Sequence, residues 1–249
     1  MPRGRQLEYL LLSVITIAAS FVLGMTGFGF AIFLMGFFPM IIGVKSSSVL
    51  VTTVGLAVII YLLIPLIRYI NWKILAVVVA GLLVGTPIGV TLLVRLNEPL
   101  LMIGLGLFLI LYLIYDVFIR SKTDFEFSPF AGFIFGLLGG GFGGAFNTSG
   151  PPVVVYLSSL NLDKHAAKAT ILAYITLGTI YKLGILIYND LITADILKFT
   201  AVLVIPSFIG MLLGKSAFSK ISTLASRRVT QAIIATASVL TILKGFGGS

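Results

Sequence analysis

"GLLGGGFGGAFNTSGPP", residues 136–152, decides how this chain is read. It lies within residues 127–162, a run of 36 positions without Asp, Glu, Lys, Arg or His. Its glycines, two prolines and the polar run Asn147-Thr148-Ser149 break any regular helix. Yet the run is too apolar for a surface loop. One helix of that length would be about 54 Å long, against a hydrocarbon core of about 30 Å. Two full spans need roughly 40 residues plus a turn. Half-length helices meeting inside a membrane fit, and residues 150–160 would rise only about 16 Å. Backbone that leaves a helix within a membrane is tolerated only inside protein or beside a wet cavity. Residues 139–150 are therefore expected inside the protein. Glycine permits tight turns and close approach to the backbone. Pro151 and Pro152 suit a first helical turn, and Ser149 or Thr148 suits its cap. A helix N-terminus placed there offers N–H donors and partial positive charge to an anion. Close helix packing is the competing use of the glycines.

Composition sets the class. Of 249 residues, 59% are hydrophobic and 10% charged, with mean hydropathy +1.16. Soluble domains carry about 25% charged residues. A soluble chain this apolar has too little polar surface to cover itself, so the reading is a multi-pass membrane protein. Net charge is +9, but the basic residues stand singly between apolar runs. That pattern fits loops at an anionic membrane face and not a nucleic-acid surface. There is no cysteine, which excludes disulfides and thiolate chemistry, and His165 is the single histidine. His165 reads as a loop or cap residue. Arg3 and Arg5 before the run 7–23 resemble a signal peptide, but that run has a counterpart later in the chain and is read as part of the fold. Gly139-x-Gly141-x-x-Gly144 mimics a dinucleotide fingerprint without the strand before it that such a site needs. No G-x-x-x-x-G-K-[ST] occurs, so ATP-driven transport within the chain is not expected.

The chain repeats. A charged cluster at 120–126 divides it near the centre, giving a first repeat at 1–119, a loop at 120–128 and a second repeat at 129–249. Residues 9–44 form another charge-free run of 36. "GFGFA" at 27–31 matches "GFGGA" at 141–145, Lys45 and Thr52 match Lys164 and Thr170, and "GTPIG" at 85–89 matches "PSFIG" at 206–210. Gly/Pro-interrupted segments at corresponding positions of two halves point to a transporter's substrate site. The expected fold is an all-α integral membrane protein. It has two homologous repeats of four to five hydrophobic segments, each opening with a Gly-broken segment that meets its partner near the bilayer midplane. If each broken segment is a hairpin, each half adds three crossings and the halves are inverted. Ten Lys/Arg then lie on one side and six on the other, whereas parallel halves divide them eight to eight. The positive-inside rule favours inversion, with both termini outside.

Candidate substrate-binding residues are Thr26, Gly27, Gly29 and Thr52 in the first repeat. In the second they are Gly140, Gly141, Gly143, Gly144, Asn147, Thr148, Ser149, Thr170 and Lys182. Lys182 sits inside an apolar run and either faces a cavity or snorkels to the interface. Thr52, Thr53 and Thr170 either face the breaks or bond their own backbone. Asp116 reads as interfacial. Tyr9, Tyr69, Trp72 and Tyr188 read as interface anchors.

The glycine run ending in Pro151-Pro152, the "A-x-x-T" at Ala167 and Thr170, and a second copy of the pattern together resemble the sulfite exporter TauE/SafE family. In the first half, "GMTGFGF" has fewer glycines, and Ser46, Ser47, Ser48 and Thr52-Thr53 replace the usual Ala-x-x-Thr-Ser. The resemblance spans nearly the whole chain. It implies a secondary transporter of sulfite, organosulfonates or related sulfur-containing or carboxylate anions in the inner cell membrane. It implies no cofactor and no enzyme activity. Expected partners are a small anion, the lipid bilayer, a coupling ion such as H+ and a second copy in a homodimer; nucleic acid is not among them. The rival readings are an anion channel and, further off, a membrane-embedded enzyme.

Overall fold

The computed structural model describes residues 3–26, 29–115, 117, 128–217 and 223–247. Among them every regular element is helical: α1 (Arg3–Thr26), α2 (Phe30–Phe37), α3 (Pro39–Ile42), α4 (Val44–Leu63), a 3-10 helix (Ile64–Tyr69), α5 (Trp72–Arg95), α6 (Glu98–Ile114), α7 (Pro129–Phe146), α8 (Gly150–Ser158), α9 (Lys164–Tyr188), α10 (Ala194–Ala217) and α11 (Thr223–Gly247). Gly27, Asp116 and the charged cluster at 120–126 lie outside the described residues, as does the side chain of Thr26. Among the described residues, six helices are long and apolar enough to cross a membrane: Gln6–Met25, Val44–Tyr69, Trp72–Arg95, Pro129–Phe146, Lys164–Tyr188 and Ala194–Ala217.

The chain forms two compact units, and each draws on both sequence halves. Unit one comprises residues 1–55, 97–113 and 192–249; unit two comprises 56–96 and 114–191. The division expected from the sequence and the compact bodies in space are thus different divisions of this chain.

In unit one, α1 packs on α10 through small residues. A Cβ at Gly210 would strike the Ile17 carbonyl, one at Gly214 the Phe21 carbonyl, and one at Gly24 the Met211 carbonyl. Contacts that advance together along both helices make the pair parallel. Gly43 turns the chain into α4 at φ 78°, and Glu98 from the start of α6 replaces a local cap there. Its carboxylate accepts the N–H groups of Val44 at 2.8 Å and Lys45 at 3.3 Å. An anionic group on a helix N-terminus is favourable for charge and for otherwise orphaned donors. Thr53 and Thr200 share a hydroxyl hydrogen bond of 2.6 Å.

In unit two, α5 and α7 meet along matched glycines four residues apart, 81, 85 and 89 against 136, 140 and 144. A Cβ at any of these six would press into the partner's backbone. Without side chains between them the two backbones touch, the packing that small-residue stripes allow in membranes. α9 joins them, with Tyr174 donating to the Gly136 carbonyl at 2.8 Å and the backbone of Asn71 donating to Thr170 Oγ1 at 3.1 Å. Helices α5, α7 and α9 run parallel, so their N-termini share one end of the unit. α8 returns antiparallel to α7: Ser149 lies beside Gly143, Val153 beside Gly139 and Tyr156 beside Gly132. Val153, Tyr156 and Leu157 close a core with Leu75, Val78, Leu82 and Tyr174.

Glycines 139–144 do not open the backbone. They are helical, and α7 ends only at Phe146. Helix dihedrals cost glycine entropy but no contact, and here its missing side chain is what lets α5 and Tyr174 approach. The break is confined to Asn147, Thr148 and Ser149.

Candidate functional site

The tip of the α7–α8 hairpin gathers most of the polar groups of this apolar region. Asn147 closes α7 in the left-handed conformation, φ 58° and ψ 21°. Asparagine tolerates that region better than other non-glycine residues. Its N–H donates to Gly143 O at 3.0 Å, a left-handed helix-end bond. Thr148 returns both its N–H, at 3.4 Å, and its hydroxyl, at 3.3 Å, to Phe142 O. Thr148 is therefore turned back to α7 and does not cap α8. Ser149 holds the N-cap position of α8 but makes no side-chain cap bond, because its own φ and ψ are helical.

Lys182 reaches this tip from α9. It is 2% exposed, and Nζ donates to Gly143 O and Asn147 Oδ1, each at 3.1 Å. The snorkelling alternative does not describe this side chain. A lysine at a helix C-terminus interacts favourably with the last carbonyls and with the dipole. Gly143 is required here: a Cβ would meet Ser149 Cβ at 2.7 Å. Lys182, Asn147, Gly143 and Ser149 thus form one cluster of α9, α7 and α8. The depth follows from α5, which is about 36 Å long. Gly89, beside Gly141 and Ala145, lies about 26 Å from its start, so the last turn of α7 lies in the C-terminal half of α5, about 8 Å past its middle.

The donor supply differs from a simple helix N-terminus. The second and third residues of α8 are Pro151 and Pro152, which have no N–H. The remaining donors at this end are the backbone groups of Ser149 and Gly150, together with the side chains around them.

The other candidates fall elsewhere. Gly140 and Gly144 face α5 and serve packing. Gly141 stands apart, since a Cβ there meets only Gly85 O at 3.9 Å. Thr170 is buried and accepts from Asn71, which ties α9 to the start of α5, away from the tip. Thr52 donates to Ser48 O in its own helix at 2.7 Å. Gly29 is left-handed at φ 98° and leads into α2. Two contributors escaped the sequence reading. Tyr174, wholly buried, fixes α9 on α7. The Gly143 carbonyl accepts from Lys182 Nζ and from the Asn147 N–H, and no pattern of residue types encodes a carbonyl's orientation. The four-residue glycine spacing was a visible signal for the α5–α7 seam.

The family profile described as sulfite exporter TauE/SafE matches residues 12–244. No curated protein and no solved structure matches the chain. Matched along nearly its whole length, the chain belongs to the sulfite exporter TauE/SafE family, a family of membrane transporters.

Proposed function

We propose that this multi-pass membrane protein is a secondary transporter that moves sulfite, an organosulfonate or a related small sulfur-containing or carboxylate anion across the inner cell membrane by alternating access. The observation that carries the site is the cluster at the hairpin tip, where the buried Lys182 Nζ meets Asn147 beside the start of α8. A buried ammonium beside a helix N-terminus is chemistry that an oxyanion can use, and this supports the reading.

The repeat supports this reading. The end of α1 and the starts of α2 and α4 are Thr26, Phe30 and Val44; the ends and starts of α7, α8 and α9 are Phe146, Gly150 and Lys164, each 120 residues on. α1 with α10 and α5 with α7 are equivalent parallel pairs, each built on glycine. An α7–α8 hairpin that enters and leaves on one face, followed by three crossings, inverts successive halves. The 120-residue register also makes the halves unequal. It sets Leu62 opposite Lys182, Gly27 opposite Asn147 and Leu50 opposite Thr170. The lysine donor therefore belongs to the second half alone. A coupling ion such as H+ and a homodimer complete the proposal.

The test is sulfite uptake and counterflow in proteoliposomes, with wild type, Lys182→Met and Asn147→Gly. A hydrogen bond to a charged ligand is worth roughly 1.5–3 kcal/mol, so each variant should lose about ten- to a hundred-fold in affinity. Wild-type saturation in both variants would remove the hairpin tip from the substrate path. Currents that never saturate would favour a channel.

A further inference from the structure

The parallel run of α5, α7 and α9 gives unit two a strongly basic end. Lys73 stands in the first turn of α5; Lys164, His165 and Lys168 stand in the first turns of α9; Arg68 ends the preceding 3-10 helix. All five side chains are exposed. They are neighbours in space, because the Tyr69 ring packs tilted against His165 with ring centroids 5.2 Å apart and Asn71 bonds to Thr170. Arg68 is held over the Tyr69 ring, 4.8 Å from its centroid, and donates to the Tyr69 hydroxyl at 2.8 Å. The guanidinium is thus preordered before any ligand arrives. Among the described residues the carboxylate at this end is Asp163, and it is engaged as the cap of α9, accepting from His165 N at 2.9 Å and Ala166 N at 3.4 Å. Three helix dipoles add their positive ends to the same surface.

An apolar surface adjoins these cations. Ile64 and Ile67 are three apart on a 3-10 helix, so they form one exposed column leading up to Arg68. Trp72, 64% exposed, stands beside Lys73. Cations at the top of an exposed apolar column, with an indole at the boundary, match a phosphate headgroup above acyl chains. A small soluble anion has no use for the column. We propose that the basic end of unit two is a binding surface for anionic phospholipid, with Arg68, Lys73, Lys164 and Lys168 on the headgroup and Ile64, Ile67 and Trp72 along the chains. The positive-inside rule and the anionic character of the inner leaflet place this end at the cytoplasmic surface. Arg is suited to the phosphate by its planar fork, and each further cation near the surface adds to the attraction.

The test uses the purified full chain, stripped of lipid in a neutral detergent. Its melting temperature is measured with added phosphatidylglycerol, phosphatidylcholine or glycerol 3-phosphate. Phosphatidylglycerol should raise Tm above the phosphatidylcholine value, and the difference should shrink as salt is added. The variant Arg68→Gln/Lys168→Gln should lose more than half of that difference. Lys198→Gln, in unit one on an exposed lysine beside Asp195, should keep it. Should the Arg68 change disturb the Tyr69 stack and impair folding, Lys73→Gln/Lys168→Gln reads the same surface and should also lower the difference. An undiminished difference in the folded variants overturns the proposal, as does an equal rise with glycerol 3-phosphate, which would mark a site for soluble anions.

Discussion

Asn147 carries two roles that alanine cannot separate. Its backbone is left-handed at φ 58°, and its side-chain oxygen accepts from Lys182. Glycine keeps the backbone and removes only the amide, whereas alanine also takes on the steric cost of a left-handed residue, about 1–2 kcal/mol. Asn147→Ala should therefore melt below Asn147→Gly, while both lose substrate affinity alike. Equal melting of the two would mean that the left-handed turn is not what holds the tip. Lys182→Met leaves Asn147 Oδ1 without this donor, while Gly143 O retains the Asn147 N–H. The expected loss is roughly 1.5–3 kcal/mol, the worth of a hydrogen bond from a charged group. A variant that melts with the wild type would show that the lysine does not brace the hairpin.

At the scale of elements, the glycines of α7 divide by face. Gly144→Ala and Gly85→Ala each drive a methyl into the opposing helix backbone. Both should lower detergent stability by about 1–3 kcal/mol or prevent folding. Gly141→Ala meets only open space and one carbonyl at 3.9 Å. Helix propensity then makes it neutral or stabilising by up to about 1 kcal/mol. A transport defect in Gly141→Ala at unchanged Tm would put that face on the substrate path. A fall in Tm as deep as that of Gly144→Ala would contradict the division. Hydropathy alone leaves these faces alike, since glycine has the same character wherever it points. The faces differ only because α5 lies on one side and α8 with α9 on the other.

For the whole molecule, the proposed inversion of the two halves makes a prediction about sidedness. Ser46 and His165 stand in the first turns of α4 and α9, and both are exposed. The chain has no cysteine, so Ser46→Cys and His165→Cys can each be labelled against a silent background. Inverted halves place the two on opposite membrane faces. A membrane-impermeant maleimide applied to sealed right-side-out vesicles should then react with Ser46→Cys and spare His165→Cys. Labelling of both from one face would make the halves parallel.

The membrane class, a short return or bend within residues 127–162 and the family were legible in residue order alone. Charge-free length against bilayer thickness limits residues 127–162 to less than two spans, and a proline pair suits the first turn of a helix. Those arguments need no partner from elsewhere in the chain. Glycine's weak helix preference predicts a backbone that opens within the glycine run, and packing outweighs it. Contact with α5 keeps residues 139–146 helical, and that contact is made across some 55 residues of chain. The direction of Lys182 was equally undecided, since a lysine six residues from a helix end is long enough to point either way. Only the meeting of α9 with the carbonyl end of α7 turned it inward. Local pattern governs what a segment can be, through hydrophobicity, length and backbone freedom. Which face of it becomes a seam, and which polar group finds a partner, depended on segments distant in sequence, and the tertiary structure alone decided that.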